Sequence, residues 1–433
     1  MPASSGEGPT VAIVAAGNVL EDSLEPLGIS FDEFLSDVHG GWMFNYVEAL
    51  QLAGLRPVVV CHTEHVRAPE RFVHRPTGAT VWGLPPGGRL DELRALQRDP
   101  PPGGKRDPTS VARAVWRNLA TFSVTPPRAL LRALRQEKSA AVVSQDYEDS
   151  RFDACVAIAQ LLRIPAFATF QGGPGHASYF GRYITPLTLR AAAGLVVAAQ
   201  TEIDRLQQTY GLPDEKLAKI PNPLDTGEWR PADRARARTE LGIPPDARVA
   251  ISHGRIDIDD KGLDVMLEAW RRVAAERPDA DLRLVLVGSG GDSDRLRAVL
   301  AEQRHRGAEL RDFVIDHDVL RTHLSAADVF VFAGRYEGFP VAPTEAMACG
   351  LPVVATAASG VPDLFERDSE DGGLVVPIDD VDALARELGR LIDDPEQARE
   401  LGARARRRVE NYCAFEVVAE RLSAFMRARG LSG

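Results

Sequence analysis

Short apolar runs alternate with amphipathic segments along the whole chain, the pattern of a parallel sheet wrapped by helices. In the first half, strands are predicted at Val11–Ala15, Arg56–Cys61, Ala141–Ser144, Ala166–Phe170 and Gly194–Ala198, each β-branched or fully apolar and bounded by turn residues. Helices fall between them at Gly41–Ala53 and Thr201–Tyr210, the second with Thr201 as its cap and Gly211 to end it at positive φ. The two prolines of Ile220-Pro221-Asn222-Pro223 interrupt the alternation, which restarts with strands at Val249–Ser252, Leu282–Val287, Asp312–Ile315, Asp328–Phe332, Pro352–Thr356 and Gly373–Val376. The fold class is α/β: two Rossmann-like domains facing a cleft, at residues 1–222 and 223–410. A helix at 411–433, with Val417, Val418, Leu422, Phe425 and Met426 at helical spacing, is expected to pack across the domains.

Length and composition narrow the function. A chain of 433 residues exceeds what one core organises, and 44% hydrophobic with 26% charged residues is ordinary for a globular protein. The net charge of −11 argues against nonspecific nucleic-acid binding, so anions need a local site. Four scattered cysteines without a C-x-x-C pair indicate neither a disulfide framework nor a zinc site, and a cytoplasmic location is expected. The apolar run Val11–Ala16 is too short for a signal segment, and no run reaches the length of a membrane span. Between Pro100 and Lys138 lie eight basic and two acidic residues, read as solvated helix faces in preference to a peripheral membrane surface.

The most informative stretch is Val329-Phe330-Val331-Phe332-Ala333-Gly334-Arg335-Tyr336-Glu337-Gly338-Phe339-Pro340-Val341-Ala342-Pro343-Thr344-Glu345. A buried strand runs into a loop, and a short helix is predicted to start near Pro343 and end at Gly350. Glu337 then stands at a strand's carboxyl end and Glu345 in the first helical turn, both toward the crevice where open α/β sheets bind ligands. The backbone of Gly338, Phe339, Pro340 and Val341 between them suits sugar hydroxyls or phosphate. The plainer alternative is that Glu345 merely complements the helix dipole.

This stretch resembles the E-x7-E signature of the retaining glycosyltransferases of family 4, which have the two-domain GT-B fold. The similarity continues through Gly350-Leu351-Pro352-Val353-Val354-Ala355, Gly360-Val361-Pro362-Asp363, Gly372-Gly373-Leu374-Val375-Val376-Pro377 and Asp379. Upstream, Ile220-Pro221-Asn222-Pro223-Leu224-Asp225 resembles the family's interdomain motif, with Pro223 where glycine is usual. The resemblance implies a nucleoside-diphosphate sugar donor, retention at the anomeric carbon, and no metal or other cofactor.

Within that register, Arg255 and Lys261 of Ser252-His253-Gly254-Arg255…Lys261-Gly262-Leu263 are the cations expected to stabilise a departing diphosphate. Lys261 is one of five lysines among 51 basic residues, which makes its place in the motif less a matter of chance. Asp257-Ile258-Asp259-Asp260 has metal-binding D-x-D spacing but is discounted as an acidic loop before a helix. Gly254, Gly288 and Ser289 are expected to wall the donor pocket, and Gly40-Gly41 to present free helix N–H groups to phosphate. Glu337 is expected to orient the sugar and Glu345 to hold the ribose. Many relatives carry histidine where Gln171 stands, so Gln171 or His176 is expected near the reacting sugar. Asp146, Glu148, Asp149 and Arg151 form a polar loop that either binds the acceptor or is solvated.

Two other readings share these features: a noncatalytic nucleotide-sugar-binding protein or partner subunit, and a GT-B-fold sugar-nucleotide epimerase. A phosphorylase would need a pyridoxal-phosphate lysine, and beyond the boundary only Lys261 is available. The base, the sugar, the acceptor and the oligomeric state are not legible in the sequence.

Overall fold

The computed structural model describes residues 8–87, 124–170, 172, 181–302, 305–312, 314 and 316–432. The chain divides into two compact units: Met1–Val197 with Ile203–Ile220 and Val418–Gly433, and Ala198–Glu202 with Pro221–Val417.

The first unit is built on an eight-stranded sheet in the order β3-β4-β2-β1-β5-β6-β7-β8. Its strands are β1 Thr10–Val14, β2 Arg56–His62, β3 Glu70–Val73, β4 Thr80–Leu84, β5 Ala141–Ser144, β6 Ala166–Thr169, β7 Gly194–Val197 and β8 Leu217–Lys219. All pairings are parallel except that of β3 with β4. The central strands are buried on both faces, which is why they read as continuous apolar runs. β3 and β8, at the sheet's two edges, are short and have no buried residue, so their sequences do not stand out; β4, with five residues and mostly buried, is an apolar strand missing from the predicted set. The helix Phe415–Ala428 contributes Val418, Leu422 and Met426 to this unit's core beside Val11, Ile13 and Phe167.

The second unit carries a six-stranded, all-parallel sheet in the order β11-β10-β9-β12-β13-β14. These strands are β9 Arg248–His253, β10 Leu282–Val287, β11 Ala308–Arg311, β12 Val329–Phe332, β13 Val353–Thr356 and β14 Gly373–Val376. This is the doubly wound order, with the switch point between β9 and β12. One hydrophobic cluster lies on each face of the sheet, around Phe330 and Met347 on one side and Trp270 and Leu284 on the other.

Three expectations are corrected. The strand predicted at Asp312–Ile315 is instead β11, where Ala308 and Leu310 alternate onto the core while Glu309 is exposed; Phe313 and Ile315 lie outside the described residues. The helix predicted from Thr201 begins at Gln200, whose N–H donates to Asp363 Oδ1 at 3.0 Å, so a distant carboxylate does the capping. The helix predicted near Pro343 begins at Val341, because a proline in a first turn gives up only an N–H that has no helical partner.

Of the basic stretch, residues 100–123 lie outside the described residues. The helix Pro127–Gln136 exposes Arg128, Arg132 and Arg135 and buries Leu130, Ala133 and Leu134. All four cysteines are buried thiols. Among the described residues, no helix is long and apolar enough to cross a membrane.

Candidate functional site

β9 and β12 are neighbours in the middle of the second unit's sheet, in register Val329↔Ala250 and Phe330↔Ile251. Their apolar residues lock both strands in the core, so the residues just past their carboxyl ends are presented from a rigid base. His253 closes β9, and the chain then turns through Arg255 and Lys261 into the helix Leu263–Glu276. β12 continues into the loop bearing Glu337 and the helix Val341–Ala348 bearing Glu345. The two loops touch at Gly262, where φ is 57° and a Cβ would stand 2.0 Å from the Ala333 carbonyl oxygen. Only glycine allows that approach.

Lys261 Nζ donates to Glu337 Oε1, joining the two loops. The Glu337 side chain is 14% exposed. Burial raises its pKa, while Lys261 and, more weakly, Arg255 pull it down. Arg255 is 59% exposed and is held by its own loop, with Nη1 3.0 Å from Asp257 Oδ2 and Nη2 3.3 Å from Asp260 Oδ2. Asp257 also accepts from the Asp260 N–H at 2.9 Å through its other oxygen. Its carboxylate is thus engaged within the loop.

Glu345 lies in the second turn of its helix, not the first, because the helix starts two residues earlier than predicted. Its side chain is 13% exposed, and its Oε2 lies 3.3 Å from His253 Nε2, a buried atom that makes no hydrogen bond among the described residues. Burial lifts the Glu345 pKa to about 8, with Glu228 adding repulsion. Burial also lowers His253 to about 4, against a hydrogen bond to the backbone of Ala342. At neutral pH the pair is therefore a protonated carboxyl beside a neutral imidazole. Glu228 itself meets His317 Nδ1 at 2.8 Å.

Between the two glutamates, Phe339 is buried in the core, and Pro340 precedes the helix without a side-chain cap on the first N–H groups. Gly254 follows His253 at φ 140°. Gly288 packs so closely on it that a Cβ would lie 1.9 Å from the Gly254 oxygen. The Ser289 carbonyl accepts from the Ile256 N–H at 3.0 Å. Lys261 with Glu337 and His253 with Glu345 are thus two pairs, each taking one partner from β9's end and one from beyond β12.

In the first unit, Gly40 and Gly41 both have positive φ, at 67° and 61°, and open the helix Gly41–Leu52 without a side-chain cap. Glu148 is paired with Arg205 Nη2 at 2.5 Å. Arg151 is 3% exposed and donates to Ala15 O at 2.8 Å, to Gly17 O and to Asn18 Oδ1 and Thr125 Oγ1, both at 3.3 Å. In the polar loop after β5, Arg151 thus braces the chain beyond β1 and Asp149 caps the next helix, while Asp146, Glu148 and Asp149 are half-buried. Gln171 and His176 lie outside the described residues.

Several residues carry no role in the sequence reading. His253 stands in a quoted motif, yet only the fold sets it against Glu345. In the first unit, His62 and Gln145 are fully buried, and neither side chain finds a hydrogen-bond partner among the described residues. No local pattern marks them, because their surroundings come from distant strands.

Residues 42–228 match the family described as "Glycosyltransferase Family 4", and residues 247–394 match "Glycosyl transferases group 1". The chain belongs to the family 4 glycosyltransferases. It is 31% identical over 244 residues to a GDP-mannose-dependent monoacylated alpha-(1-6)-phosphatidylinositol monomannoside mannosyltransferase of Corynebacterium glutamicum, covering 54% of this chain and 62% of that one. It is 32% identical over 259 residues to a D-inositol 3-phosphate glycosyltransferase of Streptomyces bingchenggensis, covering 56% of each chain. The matched stretch thus spans somewhat more than half the length of these curated relatives. Among solved structures, sucrose-phosphate synthase from Thermosynechococcus elongatus superposes with a TM-score of 0.69 at 21% identity, over 97% of this chain and 98% of that one. The fold is of the GT-B class, two α/β units each on a mainly parallel sheet.

Proposed function

We propose that the chain transfers a sugar from a nucleoside-diphosphate sugar to an acceptor with retention at the anomeric carbon, its second unit holding the donor. The observation that carries this reading is the pair of polar couples at the switch point between β9 and β12, the place where doubly wound sheets bind ligands. Lys261 and Arg255 supply the charge for the departing diphosphate, so no metal is required. Glu337 and the backbone from Gly338 to Val341 orient the sugar. Glu345, protonated near neutrality, donates to one ribose hydroxyl and accepts from the other. Same-face attack lets the leaving phosphate take the acceptor's proton, which dispenses with a protein base. The first unit is assigned the acceptor.

The relatives' names make GDP-mannose and D-inositol 3-phosphate the first donor and acceptor to try. Thermal shift against UDP-, GDP-, ADP- and dTDP-sugars tests donor binding, and selective stabilisation by one of them is expected. Proton NMR of the product then reads the anomeric configuration, and turnover is expected to survive chelator. An inverted product, or no stabilisation by any sugar nucleotide, rejects the reading.

A further inference from the structure

Lys261 and Glu337 lie on loops from different strands, and one hydrogen bond between two side chains does not fix two loops. The adjoining fixture is Arg335, two residues before Glu337. Its Nη1 donates to the Asp259 carbonyl at 2.6 Å and to Asp264 Oδ1 at 3.0 Å, and its Nη2 to Asp264 Oδ2 at 2.8 Å. Its Nε donates to Asp379 Oδ1 at 2.7 Å, and its backbone N–H to the Asp260 carbonyl at 2.9 Å. The acceptors at Asp259, Asp260 and Asp264 bracket Lys261 on both sides. Asp379, beyond β14, is held at φ 61°, a conformation that costs a residue with a side chain.

We infer that Arg335 is a positioning residue for the transfer, fixing the Lys261 loop against the Glu337 loop through a planar fork that lysine cannot reproduce. The inference rests on the donor role proposed for Lys261. Arg335 is 29% exposed, and its partners Asp264 and Asp379 are 50% and 59% exposed. Ion pairs this open add little to global stability. What the network supplies is geometry. Displacing a catalytic group by about 1 Å costs on the order of 10²-fold in rate.

The test uses the full chain and the sugar nucleotide that stabilises it most in the panel above. Arg335→Ala, Arg335→Lys, Lys261→Ala and the double variant Arg335→Ala/Lys261→Ala are compared for release of nucleoside diphosphate, with thermal midpoints alongside. Arg335→Ala is expected to lower kcat about 10- to 100-fold with donor KM and midpoint little changed. Arg335→Lys should recover only part of that loss. Adding Arg335→Ala to Lys261→Ala should cost nothing further, because the clamp acts through the lysine it places. Near-wild-type kcat in Arg335→Ala, or a full multiplicative loss in the double variant, overturns the inference alone. An unimpaired Lys261→Ala overturns it together with the donor assignment. Should Arg335→Ala not fold, Asp264→Asn removes half the fork and must likewise lower kcat without adding to Lys261→Ala.

Discussion

The two ends of β12 treat an acidic residue in opposite ways. At the amino end, Asp328 is 6% exposed and takes Arg238 Nη2 at 2.9 Å, the Val249 N–H at 2.8 Å and Arg234. At the carboxyl end, Glu337 is 14% exposed and has Lys261 as its hydrogen-bond partner among the described residues. A carboxylate with three donors has little acceptor capacity left, and burial of that kind holds a strand in place. A carboxylate with one donor keeps acceptor capacity for a ligand. The Glu345 carboxyl, across the same sheet end, is pushed up to about 8 by burial, with Glu228 adding repulsion. Internal bracing is thus concentrated at the amino end of the strand, and open acceptor capacity beyond its carboxyl end.

That division can be broken at either end. Asp328→Ala leaves Arg238, 4% exposed, without its counter-charge, and should cost about 3–5 kcal/mol in urea unfolding while the folded fraction turns over normally. Lys261→Ala should do the reverse, lowering kcat by a factor on the order of 10² to 10³ with little change in stability. Comparable stability losses in both variants would erase the contrast.

Two smaller effects sharpen the comparison between Glu337 and Glu345. Glu345 holds its proton in the folded chain up to about pH 8, whereas the unfolded chain releases it near 4.5. Stability contributed by this group therefore falls as pH rises through that window. Glu345→Gln should match wild type in thermal midpoint near pH 4.5 and exceed it by a few degrees at pH 8; a constant offset at all pH values would contradict the protonated state. His253 works the other way, neutral in the folded chain down to about 4 and protonated in the unfolded chain below 6.5. Acid should destabilise the wild type between those values, and His253→Gln should flatten that decline in midpoint by a smaller margin.

The alternation of strands and helices, the switch to a second unit near Pro221 and the acidic pair eight residues apart are local patterns, and each is readable along the chain. β11 escapes a reading of the sequence because four residues are too short an alternation to stand out, and the start of Glu345's helix because a first-turn proline is permissive. Arg151 reads as a surface residue of a polar loop until the carbonyls of Ala15 and Gly17 surround it. Arg335 sits inside the most legible motif of the chain, yet its acceptors at Asp259, Asp264 and Asp379 come from two other segments.

The sequence by itself determined the class of fold, the family and which side chains stand past the ends of β9 and β12, because periodicity and motif spacing are properties of contiguous residues. Which acid burial holds protonated near neutrality, which arginine braces the backbone and which one holds two loops together were decided only by tertiary structure. Those properties depend on burial and on partners tens to more than a hundred residues away, and no local pattern encodes either.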